Sequence, residues 1–155
     1  MTDDAKDLRG RLVQLLRAGS FLFGLPASEI STIAEWRKPT PLPHASSVVC
    51  GVVSLQGRML TVLAPIKLFD QEASDDAISP SYIVALRGDE QLALAVDSVE
   101  DVEEIPPSQL ESSGLALEPI VLCLLKRGDQ PIRVLDVKKL FFAAIQGRHR
   151  RQRRF

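Results

Sequence analysis

Short apolar runs broken by turn residues at intervals of about 8–12 positions dominate this chain, and that rhythm predicts strands joined in hairpins. Residues 48–53 (VVCGVV) are β-favouring, residues 55–58 (LQGR) read as a turn, and residues 59–63 (MLTVL) read as the return strand, so a hairpin is expected over 48–63. A second hairpin has the same plan, with 120–125 (IVLCLL), a turn at 126–130 (KRGDQ) and 132–137 (IRVLDV). Between the two, 82–86 (YIVAL) and 92–96 (LALAV) read as strands around a turn at 87–90. Within 92–96, Leu92, Leu94 and Val96 share one face, and the small Ala93 and Ala95 leave room for a close neighbour on the other.

The remaining pieces are less regular. Residues 11–17 (RLVQLLR) place Leu12, Leu15 and Leu16 at helical spacing. Yet Ala18-Gly19-Ser20 is a turn and 21–25 (FLFGL) a strand, so helix and strand–turn–strand compete there. Residues 26–36 (PASEISTIAEW) form a short amphipathic piece whose apolar positions are Ile30 and Ile33. Three prolines make 37–43 (RKPTPLP) an extended connector, because each removes a donor and fixes φ. Residues 69–81 are polar and read as a boundary, while 97–104 (DSVEDVEE) set Val99 and Val102 among acids and read as a solvated face. A short helix is expected over 138–145, with Gly147 as its stop.

The chain also repeats itself. Residues 62–69, VLAPIKLF, return at an offset of 72 as residues 134–141, VLDVKKLF. Two copies are too few for an open solenoid, which needs about three or more, so the copies are expected to close on each other around one core. The predicted organisation is a frayed N-terminus at 1–9, a body at 10–146 made of two pseudo-repeats (10–70 and 80–146), and a basic tail at 147–155.

Composition changes this picture in one respect. With 45% hydrophobic and 25% charged residues, the chain of 155 has an ordinary globular balance. No run approaches the roughly 18 apolar residues of a membrane span, and the acidic start MTDDAKD does not resemble a secretory signal, so a cytoplasmic location is expected. Cys50 and Cys123 lie in apolar runs and read as free thiols. The net charge of −1 conceals an asymmetry: Arg148, Arg150, Arg151, Arg153 and Arg154 crowd into GRHRRQRRF, leaving −6 on residues 1–146.

Catalytic and metal constellations are missing from the sequence. His44 sits in the proline connector and His149 in the tail, the cysteines are not paired as CxxC, and no zinc-ligand spacing results. There is no phosphate-cradling GxxxxGKS or GxGxxG, no nucleophile–base signature, and no alternation of acids around a glycine in 97–104 that calcium requires. No cofactor and no catalytic residue are expected.

The ordered set FGLP-x₃-I, Leu42-Pro43, VVCGVVSLQGRML, LALAVDSVEDV and RVLDVKKLF resembles the CheW family of chemotaxis adaptors over about residues 10–145. The resemblance implies an all-β fold of two SH3-like five-stranded barrels around a shared core, with short helices. It implies a noncatalytic adaptor whose partners are a CheA-type histidine kinase and the cytoplasmic tip of a chemoreceptor. The receptor would lie in a groove between the barrels and the kinase's own CheW-like domain at the end of the first barrel. Carried over by motif, the candidate contact residues are Ile30, Ile33, Leu55, Gln56, Arg58 and Tyr82. Ile30, Ile33 and Tyr82 read equally well as core positions.

Some positions depart from the family pattern. Its Asn-Leu-Arg-Gly is Ser54-Leu55-Gln56-Gly57 here, so glutamine replaces a charged, bidentate donor. The acid of the first Val-(Ile/Val)-Asp-Leu is Ala64, whereas Asp136 keeps it in the second copy, and Cys123 stands at the offset position of Gly51. These changes suit a divergent adaptor, in a pilus-motility or other alternative chemosensory system. The competing reading is a nucleic-acid- or membrane-associated regulator acting through the arginine tail. On the adaptor reading nucleic acid is not a partner and the membrane is met only through receptors.

Overall fold

The computed structural model describes residues 12–69, 80–88, 91–104, 120–127 and 130–140. Ten strands follow in chain order: β1 (Leu12–Ala18), β2 (Phe21–Pro26), β3 (Ile30–Glu35), β4 (Val49–Leu55), β5 (Arg58–Leu63), β6 (Tyr82–Leu86), β7 (Leu92–Val96), β8 (Ser98–Glu104), β9 (Val121–Arg127) and β10 (Gln130–Leu135). A 3₁₀ turn at Ala27–Glu29 precedes β3, helix α1 (Pro65–Phe69) follows β5, and a helical turn at 137–140 follows β10. The remainder of the helix expected over 138–145, the boundary at 70–79 and the arginine tail lie outside the described residues.

The strands form two five-stranded sheets, ordered β8-β1-β2-β10-β9 and β3-β6-β7-β5-β4. Replacing each strand by its counterpart five places along the chain converts one order into the other. The offset of 72 is retained in the elements: β4 and β9 start at 49 and 121, β5 and β10 at 58 and 130. Each hairpin joins a parallel partner, β10 beside β2 and β5 beside β7. The sheets therefore do not follow the halves of the chain. β1 and β2 join β8–β10, while β6 and β7 join β3–β5, so each copy lends its first two strands to the other's barrel.

Alternation along the strands sorts the apolar side chains into three clusters. One fills the β1–β9–β10 barrel, with Val13, Leu15, Cys123, Leu125, Ile132 and Val134. Another fills the β4–β7 barrel and includes Leu55, Leu60, Val62, Ile83, Ala93 and Ala95. The third lies between the barrels and takes Leu16, Ala18, Phe23, Leu63, Val84, Leu92, Leu94, Val96, Leu135 and Leu140. In β7 the two alanines face the barrel interior and Leu92, Leu94 and Val96 face the shared core, as the sequence predicts. A fully buried Leu or Phe side chain contributes about 1.5–3 kcal/mol, so this double-sided burial is the main attraction between barrels.

Residues 12–18 form a strand. Leu15 and Leu16 are both fully buried, but on opposite faces, one inside a barrel and one in the shared core. A strand covered on both sides carries a continuous apolar run, which mimics helical spacing. The turn to β2 is fastened by Asp97, whose Oδ2 accepts from Gly19 N (2.7 Å) while its own N donates to Arg17 O (2.7 Å). The amphipathic piece 26–36 is likewise mostly strand, with Ile30 pairing Leu86 and Ile33 pairing Val84.

Gly51 has φ +147°, and a Cβ on it would strike the Thr40 carbonyl and sit 2.9 Å from Pro39 Cβ. Glycine is required because the proline connector crosses β4 at this point, with Thr40 and Val52 exchanging backbone hydrogen bonds of 2.9 Å in both directions.

Candidate protein-docking surface

The end of β3 is the seam at which the β4–β7 barrel closes. Glu35 pairs with Tyr82 at the start of β6, and Trp36 N donates to Ser81 O (3.0 Å). The next residue, Arg37, donates Nη1 to Ser54 O (2.9 Å) near the end of β4. Residues 35–37 thus tie the start of β6 to the approach of the β4–β5 turn. Trp36 itself packs against the barrel interior, so the sole tryptophan anchors the connector from inside.

Around this seam two large apolar side chains remain in water. Ile33 is 38% exposed and Tyr82 37%, although Val84, Ile33's cross-strand partner, is fully buried in the shared core. Opposed residues of an antiparallel pair lie on one face. Ile33, Glu35, Tyr82 and Val84 therefore share the face that feeds the core between the barrels, with Ile33 and Tyr82 at its wet rim.

The other candidates scatter. Ile30 lies at the far end of β3, partly buried against the shared core. Leu55 is buried inside the barrel. Gln56 (φ 52°) and Gly57 (φ 80°) both adopt positive φ, which suits the right-handed twist of a two-residue hairpin turn and leaves Gln56 projecting into water. Arg58 is half-buried at the first position of β5, and Met59 beside it is 58% exposed. Arg37 and the apolar pair Leu12 and Val102 escaped the sequence reading as site candidates. Arg37 brings a guanidinium to the strand end where the family pattern has its arginine and this chain has Gln56, a contact that only tertiary closure creates. Leu12 and Val102 are the exposed counterparts on the other barrel, 53% and 49% accessible, beside Val99 on the pair β1–β8. Their signal was present as the valines alternating with acids in 97–104.

Burial pushes the Cys123 thiol up from 9.0 to about 11, Cys50 is half-buried, and neither forms a disulfide. Among the described residues no three His, Cys, Asp or Glu side chains group as metal ligands, and no helix is long and apolar enough to cross a membrane.

Paired SH3-like barrels that exchange strands around a common core, with an exposed apolar rim at a barrel seam, define a binding module. Residues 8–144 match the CheW-like domain family. The chain is 30% identical to the chemotaxis protein CheW of Rhizobium meliloti (strain 1021), over 81% of this chain and 92% of that protein. It is 28% identical to the chemotaxis protein CheW of Bacillus subtilis (strain 168), over 59% and 58% of the two chains. The crystal structure of the scaffolding protein TtCheW from Thermoanaerobacter tengcongensis superposes with a TM-score of 0.70 over 85% of this chain and 88% of that one, at 19% identity. The chain belongs to the CheW-like family, and it is a noncatalytic chemotaxis scaffold and not an enzyme.

Proposed function

We propose that this adaptor couples the cytoplasmic tips of methyl-accepting chemoreceptors to a CheA-type histidine kinase, in the cytoplasm and at receptor arrays. The observation that carries the reading is the exposure of Ile33 and Tyr82 on the face that enters the inter-barrel core. A helical receptor tip laid along that face would bury both side chains, and an aromatic ring suits such a groove. The kinase's own CheW-like domain would meet the barrel seam, where Gln56, Arg58 and Arg37 supply polar contacts around a few apolar anchors. Adaptation is geometric: one rigid body holds two partners, so motion in one is felt by the other. With Gln56 in place of arginine, a pilus-motility or other alternative chemosensory pathway fits better than flagellar chemotaxis.

Ile33→Asp puts a charge on the rim without touching either barrel interior. A folded variant is expected to lose kinase or receptor capture by about tenfold or more. Full capture of both partners by a folded Ile33→Asp chain would remove Ile33 from the site. The rival reading, a nucleic-acid- or membrane-associated regulator, rests on the five arginines of 147–155. Replacing them with serine separates the two: the adaptor keeps its kinase, whereas the rival loses all binding at modest salt.

A further inference from the structure

A cleft of about 560 Å³ lies between the proline connector, the start of β4 and the start of α1. The connector explains why it stays open. It meets β4 through one isolated bridge, Thr40 with Val52, and Pro39 and Pro41 on either side of Thr40 have no N–H to extend the pairing. The wall is mostly apolar, built around Trp36, Pro39, Pro41 and Pro80. Its charged members are Lys38, which is exposed, and Lys67 of α1, which is only 8% exposed. Among the described residues no Asp or Glu lines it, and β4 contributes the Cys50 thiol. Trp36 and Pro80 also bracket the hydrogen bond that closes the barrel seam, Trp36 N to Ser81 O (3.0 Å).

We propose that this cleft binds a small aromatic anion, a flat ring system carrying one carboxylate or sulfonate. Its volume lies within the roughly 300–1,000 Å³ of small-molecule sites. Tryptophan and proline offer flat apolar faces on which an aromatic ring packs. Both charged wall residues are lysines, so the cleft favours an anion over a neutral or cationic ligand. Lys67 also interacts within the protein, but an ammonium has three donors and can serve a ligand oxygen as well. Its burial strengthens such a contact, because the local dielectric is below that of water. The site does not depend on the adaptor reading.

The test titrates the full chain with anilinonaphthalene sulfonate and, separately, with phenylnaphthylamine, the same ring system without the sulfonate. The sulfonate is expected to half-saturate one site on the order of tens of micromolar, as a ligand of its size allows. The neutral probe is expected to bind about tenfold more weakly or worse. Lys67→Met weakens sulfonate binding by about tenfold, with the fold checked by circular dichroism. Lys38→Met, at an exposed position, weakens it without a folding risk. At about ten times its half-saturating concentration, the sulfonate slows alkylation of Cys50 by iodoacetamide about tenfold by mass action, read by mass spectrometry. Equal affinity for the two probes, sulfonate binding untouched in the Lys38→Met variant, or an unchanged Cys50 rate overturns the proposal. Sulfonate binding abolished by Ile33→Asp also overturns it, by placing the probe on the exposed rim.

Discussion

The two hairpins, β4–β5 and β9–β10, perform the same structural task with different chemistry. In each, the residue after the second strand donates its N–H back to the residue before the first: Ala64 N to Val48 O (2.8 Å), and Asp136 N to Ile120 O (2.7 Å). In each, a lysine three positions on donates its N–H to the same residue's carbonyl, Lys67 to Ala64 and Lys139 to Asp136, both at 3.0 Å. The first copy starts its helix with Pro65, which is preorganised for the first helical position. The second starts with Asp136, whose Oδ1 caps the turn by accepting from Lys138 N (3.1 Å). The acid of the second copy is thus a cap whose counterpart is Ala64, and the first copy instead has a proline at the next position, where the second has Val137. Backbone geometry is what the repeat conserves, and the side chains are interchangeable ways of holding it.

The sharpest contrast is Gly51 against Cys123, at the same offset. Gly51 is crossed by the connector, whereas the Cys123 side chain fills a barrel interior. Gly51→Ala is therefore the most damaging single change, because it adds a Cβ against the Thr40 carbonyl at a φ that disfavours side chains. A loss of about 3 kcal/mol or more is expected in urea unfolding. A cost below about 0.5 kcal/mol, as for an ordinary surface change, would show that the connector does not need the glycine.

Cys123 gives the comparison a pH signature. Its thiol titrates near 9.0 when unfolded and near 11 when folded, so the folded state holds the proton over that interval. Stability from this group is complete below pH 9 and is lost as pH rises from about 9 to about 11, by up to about 3 kcal/mol. Cys123→Val removes that component, so the difference between the two proteins' stability–pH curves isolates it from tyrosine and lysine titrations. Parallel curves through this range would show that the thiol is not held neutral.

Asp136→Ala removes the cap and is expected to cost about 1 kcal/mol in thermal or urea unfolding. The smallest effect concerns accessibility: in the native protein Cys50 is expected to react with a thiol reagent well before Cys123, and both react in denaturant.

The hairpins were legible because each carries an apolar run, a glycine-containing turn and a return strand in a short stretch. The alternation in 92–96 was legible to the residue. β1 was not, since Leu15 and Leu16 point into different cores and a doubly buried strand loses its period of two. β8 was not, because its exposed Val99 and Val102 among acids look like any solvated stretch until β1 is seen beside them. In the candidate site, Ile33 and Tyr82 resolved from core to rim only through the β3–β6 register. Arg37 was invisible for the same reason: its contact with Ser54 depends on barrel closure, which no local pattern encodes. Leu55, carried over from a motif, is an interior residue that shapes the turn from beneath.

In the proposed function, the exposed rim at the barrel seam transmits signals between two partners. The most direct measurement is receptor-dependent autophosphorylation of a CheA-type kinase, reconstituted with receptor-bearing vesicles and this full-length chain. Receptor control of the kinase should appear only when the chain is added, and should be lost with a folded Ile33→Asp, Tyr82→Ala variant. Equal receptor control with that variant, or with no chain at all, would contradict it.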